Sequence, residues 1–255
     1  MSRRVAVITG GARGIGRAVA LRLAADGKHV WIGDIDPTGA KTVVDEITTA
    51  GGSAGAVLLD VSDPQSVTEA FDEIAQHDSA IDALVNNAGV TAVHAFEEIP
   101  VEAWERAYRV NVVGMYLCIR AALPALRHAP PPARIVNVAS GAGKIAGAYT
   151  AAYHASKAAV ISLTRSAAVA LAPDILVNSV CPGVIDTPMW ELIDAGLAAI
   201  DAPASARFDH RSSALPLQRP GTADEVAAVI AFLAGPESRY MTGEDVNVTG
   251  GSVMH

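Results

Sequence analysis

The sequence predicts an α/β fold, a doubly wound parallel sheet of about seven strands with helices on both faces. Three observations carry this. Short β-branched apolar runs alternate along the chain with longer segments of helical period. Apolar residues make up 51% of the chain and aromatic residues only 5%, which suits a core of Val, Ile, Leu and Ala between sheet and helices. A glycine-rich turn, Thr9 to Gly16, separates the first such strand from the first such helix.

Residues 5–8, Val-Ala-Val-Ile, make the first strand, because a run without polar interruption suits a strand buried on both faces. Further strands follow at 30–33, 56–59, 83–85, 134–138, 176–180 and Asp245–Val248. Helical period places helices near 16–25, 38–50, 64–76, 101–123, 149–171 and Ala223–Leu233. Pro130 to Pro132 form a loop before the fifth strand, too short for a linker between domains. Residues 1–255 therefore read as one domain. Its one long irregular stretch is 182–221, and a connection of that length usually carries function. It contains the short apolar helix of Met189, Trp190, Glu191, Leu192 and Ile193, read as part of a substrate lid at about 184–221. A packing role or an oligomer contact is the alternative.

A glycine turn between strand and helix lets backbone N–H groups reach a pyrophosphate at the positive end of the helix dipole. Asp34 stands eighteen residues after Gly16 at the end of the second strand, where an acid accepts from an adenosine ribose. Farther on, Tyr153 and Lys157 sit at i and i+4 on one helix face, and Ser140 lies thirteen residues before Tyr153. A free phenol is a poor base at neutral pH; an ammonium nearby favours phenolate and predicts a lowered Tyr153 pKa. Such a pair can move a proton on or off an alcohol oxygen.

Taken together, these motifs resemble the short-chain dehydrogenase/reductase family from about Arg4 to Gly251. Thr9 to Gly16 matches its T-G-x-x-x-G-x-G turn, Asn86 to Gly89 its N-N-A-G segment, and Pro182, Gly183, Asp186, Thr187 and Pro188 its nicotinamide-contacting segment. The resemblance implies a Rossmann-type fold and a catalytic set of Asn111, Ser140, Tyr153 and Lys157. It implies cofactor contacts from Gly10, Arg13, Gly14, Ile15, Gly16, Asp34, Ile35, Asp60, Val61, Asn87, Ala88, Gly89, Tyr153, Lys157, Pro182, Gly183, Ile185 and Thr187. Substrate contacts would come from Ser140, Ala142, Tyr153, Gly183, Met189 and Trp190. In the family the equivalent of Lys157 also holds the nicotinamide ribose, and that of Asn111 supports a water linking the lysine to solvent. Read without the family, Asn111 is a surface or helix-kink residue and Asp60 a helix N-cap. His154 points about 100° away from Tyr153 on the helix and reads as non-catalytic; His94 and His210 are guesses for the substrate mouth. The family usually has aspartate where Thr249 stands, which bears on a C-terminal subunit contact at residues 251–255.

Charge and composition narrow the partners. Net charge is −8 with no basic cluster, which argues against nucleic acid and anionic membrane. No run of 18 uncharged apolar residues occurs, and Met1, Ser2, Arg3 and Arg4 lead straight into the first strand without a leader pattern. Cys118 and Cys181 are 63 residues apart without metal spacing and read as reduced core thiols, so no metal is expected and the compartment is cytoplasmic. Asp34 favours NAD, because its carboxylate repels a 2′-phosphate; Arg13 argues weakly for NADP.

The substrate side resembles bacterial polyol dehydrogenases of the sorbitol type around 157–164 and 182–186, and acetoin and butanediol reductases around Met189, Trp190, Arg219 to Gly221 and Tyr240 to Gly243. A secondary alcohol with a neighbouring oxygen, a polyol or vicinal diol, is the expected substrate. The alternatives are a 3-oxoacyl thioester reductase using NADPH and an inactive dinucleotide-binding regulator. Apolar residues on several faces of 101–123 and 149–171, among them Val110, Val112, Val113, Met115, Leu117, Ala158, Ala159, Ala167 and Ala168, predict a homotetramer.

Overall fold

The computed structural model describes residues 3–254; Met1 and Ser2 of the expected leaderless start, and His255 of the expected C-terminal contact, lie outside the described residues. Seven parallel strands form one sheet: β1 (Val5–Thr9), β2 (His29–Asp34), β3 (Ser53–Leu58), β4 (Ala83–Asn86), β5 (Ala133–Val138), β6 (Ile175–Pro182) and β7 (Asp245–Val248), in the spatial order 3-2-1-4-5-6-7. Helices α1 (Gly14–Ala25), α2 (Pro37–Thr49), α3 (Pro64–His77), α4 (Val101–Tyr108), α5 (Met115–His128), α6 (Ala151–Leu171), α7 (Pro188–Ala199), α8 (Phe208–Ser213) and α9 (Ala223–Leu233) complete the chain.

Alternation along β1 shows how the sequence makes two cores. Val5 and Val7 face Phe71 and Ile74 of α3, Leu126 of α5 and Val160 of α6. Ala6 and Ile8 face Val19 and Leu23 of α1, Ile47 of α2 and Ile230 of α9. Val7 pairs with Trp31 on one side and Leu84 on the other, so the middle of the sheet is apolar in both directions. Strand order reverses between β1 and β4, and the crevice above the strand ends there is where such sheets bind ligands.

Four details differ from the sequence reading. β3 starts at Ser53, because its early residues pair with β2 although only Val57 is buried. The helix expected to stop before Pro124 runs on to His128; burial of Ala122 and Leu126 offsets the missing hydrogen bond. Between α4 and α5 a π segment, Arg109–Gly114, widens the turn around Asn111. The stretch expected to be irregular holds two helices, α7 and α8.

That lid region is a closed loop. Ile185 and Gly221 form an isolated bridge, with Asp186 N on Gly221 O (2.9 Å) and Gly221 N on Val184 O (2.9 Å). Beyond it, Thr222 and Glu225 cap α9 reciprocally, and Arg219 grips Glu225.

Much of the apolar surplus assigned to subunit contacts is used internally: Met115, Leu117 and Ala168 are buried, while Val113 and Tyr116 remain exposed. The rod Val101–His128 is long and apolar enough to cross a membrane, with a mean hydropathy of 1.2, yet its buried side chains pack on the sheet. Both cysteines are free and buried, and burial pushes the Cys118 thiol up to about 12.

Candidate active site

The glycine turn and the segment after β4 are built as one piece. Asn87 Nδ2 donates to Thr9 O (3.1 Å) and Gly10 O (2.8 Å), while Thr9 Oγ1 accepts from Asn87 N and Ala88 N. Gly10 has φ +65°, and a methyl on it would meet Ala88 Cα at 2.8 Å. A methyl on Gly16 would sit 2.1 Å from Gly10 O. No side chain fits at either position, so bare backbone lines the cradle at the start of α1. Arg13 precedes α1 with an extended backbone, and Gly14 approaches Thr187 from across the cleft.

Asp34, at the end of β2, accepts from Ala12 N (2.9 Å) and Asp36 N (3.0 Å), which fixes the carboxylate beside the turn. Ile35 next to it is 68% exposed, an apolar surface beside the carboxylate. Asp60 is exposed and accepts from Ser62 N and Ser62 Oγ; the helix cap is Asp63, so the N-cap alternative for Asp60 does not hold. Val61 is buried, with its carbonyl and side chain against Gly114. The bare cradle, the acid at the strand end and the exposed apolar flank together fit a dinucleotide.

Ser140, Tyr153 and Lys157 meet at the floor of a cleft of about 1200 Å³, its open mouth included. Ser140 follows β5; its Oγ accepts from Ala142 N (3.1 Å) and is hydrogen-bonded to the Tyr153 hydroxyl. Lys157 is buried and donates to Val138 O (2.7 Å), with Nζ 5.6 Å from the Tyr153 ring centre. Burial strips water from its ammonium and lowers its pKa from 10.5 to about 8.

Tyr153 departs from the sequence reading. Burial raises its pKa, the Ser140 hydrogen bond opposes that, and buried Cys181 adds a further push upward. Lys157 makes no hydrogen bond to the phenol, its ammonium donating to the Val138 carbonyl instead, and burial decides the direction at Tyr153.

Asn111 sits behind this group and is fully buried. Its amide donates to Val90 O (3.0 Å) and Ser156 Oγ (2.9 Å), and its Oδ1 accepts from Val90 N (2.8 Å). The side chain thus ties the π segment to α6 and to the chain after β4, so the surface reading fails and the kink reading holds. A second polar relay, Asn86 Nδ2 to Asn137 Oδ1 and Asn137 Nδ2 to Thr164 Oγ1, fixes α6 against β4 and β5.

Of the remaining expected residues, Ile15, Asn87, Gly89, Ala142, Pro182, Gly183, Ile185, Thr187, Met189 and Trp190 line this cleft. Gly10, Arg13, Gly14, Gly16, Asp34, Ile35, Asp60, Val61 and Ala88 lie outside its lining. His94 and His210 do not line it either; the His94 backbone bonds to Tyr149 and His210 lies on α8. His154 does line it, held by Nδ1 on Ile145 O (2.8 Å). Thr249 closes the turn after β7 with hydrogen bonds to Val253 O and N. The sequence reading missed Arg211, which lines the lid wall. No motif marks it: it lies in a polar run that resembles a solvated helix.

Comparisons with known proteins agree with this geometry. Residues 10–253 match the family model described as Enoyl-(Acyl carrier protein) reductase. The chain is 37% identical to L-2,3-butanediol dehydrogenase of Corynebacterium glutamicum, covering 99% of each. It is also 37% identical to sorbitol dehydrogenase of Cereibacter sphaeroides, covering 98% of each, and to 3-oxoacyl-[acyl-carrier-protein] reductase of Synechocystis sp., covering 100% of this chain and 98% of the relative. A short-chain type dehydrogenase/reductase from Mycobacterium marinum superposes with a TM-score of 0.89 at 35% identity, covering 100% of this chain and 97% of that one. With the cradle, the crevice and these full-length likenesses in agreement, the chain belongs to the short-chain dehydrogenase/reductase family, whose members are oxidoreductases that bind a nicotinamide dinucleotide.

Proposed function

We propose that the protein interconverts a secondary alcohol and its ketone with NAD, and that the alcohol is a polyol or vicinal diol. The observation that carries this is the Ser140–Tyr153 hydroxyl pair at the cleft floor, with Lys157 buried behind it. Gly10, Gly14, Ile15, Gly16, Asn87, Ala88 and Gly89 would hold the dinucleotide from one side, with Arg13 beside them. Pro182, Gly183, Ile185 and Thr187 would hold it from the other, while Asp34, Ile35, Asp60 and Val61 would flank the adenosine. The bound cofactor supplies the hydride acceptor or donor.

This chain's own residues handle the proton. Tyr153 Oη exchanges it with the substrate oxygen, and Ser140 Oγ hydrogen-bonds that oxygen as charge develops there. A phenol held high by burial is the proton-bearing form, suited to giving the proton in the reductive direction. Lys157, its pKa lowered by burial to about 8, stands beside the ring as a group that can replace it. Asn111 fixes the wall behind Lys157 through Val90 and Ser156.

Fixed beside the turn, Asp34 presents a carboxylate to the ribose 2′ position, which supports NAD over NADP. The butanediol and sorbitol relatives support a diol or polyol. The relative named 3-oxoacyl-[acyl-carrier-protein] reductase favours a second reading, a thioester reductase using NADPH. Nicotinamide absorbance, followed over polyols, diols and a 3-oxoacyl thioester with each cofactor, separates the two. Turnover of the thioester alone, with NADPH, refutes the first; no turnover of anything supports the inactive regulator.

We also infer a homotetramer in the cytoplasm. Tyr116 on α5 and Val169 on α6 are exposed apolar side chains of the kind a symmetric interface covers, Val169 being 86% exposed. The single-domain reading and a lid closing over the cleft are further parts of this proposal.

A further inference from the structure

We propose that Arg211 recognises a carboxylate on the substrate, which makes the preferred alcohol a polyhydroxy or hydroxy acid rather than a neutral polyol. This rests on the alcohol dehydrogenase reading and narrows it.

The cleft's charge is one-sided. The chain carries a net −8, yet among the described residues no Asp or Glu lines the cleft, whereas Lys157, His154 and Arg211 do. Lys157 is occupied by Val138 O and His154 by Ile145 O. Arg211 is not: among the described residues no carboxylate pairs with it. Its guanidinium lies 5.6 Å from the centre of the Trp190 ring, a cation–π contact that holds it on the lid wall. Trp190 is braced from the side by Phe208, 5.4 Å away between ring centres, and Asp194 Oδ1 accepts from Phe208 N (3.1 Å), so α7 and α8 are packed and hydrogen-bonded together. Just before α8, Arg207 has its Nε buried without a hydrogen-bond partner among the described residues.

Arg211 is exposed as a residue: one side of its guanidinium stacks on Trp190 at the cleft wall, and its N–H donors have no carboxylate among the described residues. Packing on the lid pulls its pKa below the ordinary value. A planar carboxylate would meet its fork with two charge-assisted hydrogen bonds. With Tyr153 and Ser140 on the floor and Arg211 on the lid wall, the reacting hydroxyl and the carboxylate belong at opposite ends of a short molecule. The competing explanation is that Arg211 only ties α8 to α7 by stacking.

Matched substrate pairs decide between them. Gluconate and sorbitol differ at one carbon, as do 3-hydroxybutyrate and 1,3-butanediol. With the full-length enzyme and NAD, kcat/KM should favour the acid of each pair by roughly tenfold or more, the scale of a charge-assisted pair in a partly wet site. In Arg211→Met that acid-to-neutral ratio should fall by about tenfold, mainly through KM, and Arg211→Lys should restore part of it. A thermal melt checks that the lid variants fold. A wild-type preference for the neutral members, or a ratio unchanged in Arg211→Met while both activities fall together, overturns the carboxylate assignment and leaves the dehydrogenase reading standing. No turnover of either acid overturns the carboxylate assignment, while the dehydrogenase reading falls only if the wider panel of polyols and diols is also inert.

Discussion

Replacing Lys157 with methionine should make the protein more stable while removing its activity. The ammonium is 3% exposed, and its pKa falls from 10.5 to about 8. A depression of that size corresponds to roughly 3 kcal/mol of charge burial at neutral pH. Methionine fills similar space without charge. It also leaves Val138 O, now 2.7 Å from Nζ, without its donor, a loss of about 1–2 kcal/mol. The net expectation is a gain of about 1–2 kcal/mol at pH 7, or a Tm rise of roughly 2–8 °C for a chain of this size. The pH dependence has a definite sign. Between pH 8 and 10 the unfolded chain keeps the Lys157 proton that the folded chain has released, so wild-type stability gains from this group as pH rises. Urea melts of both proteins at pH 7 and pH 9 read the effect: the wild type should gain on the variant at the higher pH. A variant less stable than wild type at pH 7, or an unchanged gap at pH 9, refutes the view that this lysine is held at a cost.

Tyr153→Phe should lower turnover by at least ~10²-fold with little change in cofactor affinity, measured by steady-state kinetics and titration of NADH fluorescence. Asp34→Ala should relax the preference for NAD; a wild type already faster with NADPH would contradict the cofactor assignment. Gly16→Ala drives a methyl to 2.1 Å from Gly10 O, so a stability loss of about 1–3 kcal/mol and weaker dinucleotide binding should appear together in denaturation and binding assays. Light scattering at micromolar concentration should give four times the 26.2 kDa chain mass, and a mass near one chain would refute the tetramer.

The sheet was legible in the sequence because parallel strands buried on both faces leave uninterrupted apolar runs, as in residues 5–8 and 83–85. β3 was less so, since its small residues pair by backbone and bury little side chain. The helix through Pro124 was missed because local propensity cannot see the burial of Leu126 that carries the chain past it. At the site, Ser140, Tyr153 and Lys157 were readable from spacing and are brought together. The direction of the Tyr153 pKa was not, because it depends on how deeply the oxygen is enclosed. Arg211 left no sequence signal; only the packing of α8 on Trp190 turns it toward the cleft.

The clamp between Ile185 and Gly221 has an evolutionary consequence. Everything that would choose the substrate from above, Met189, Trp190 and Arg211, is strung on one loop whose two ends are fastened at the same point of the scaffold. The proton-handling residues below are locked by a separate set of bonds through Asn111, Asn137 and Thr164. Sequence drift between the clamp points can therefore exchange one recognised molecule for another while the chemistry beneath is inherited intact. A graft of residues 186–220 from a relative of different preference should carry the preference with it.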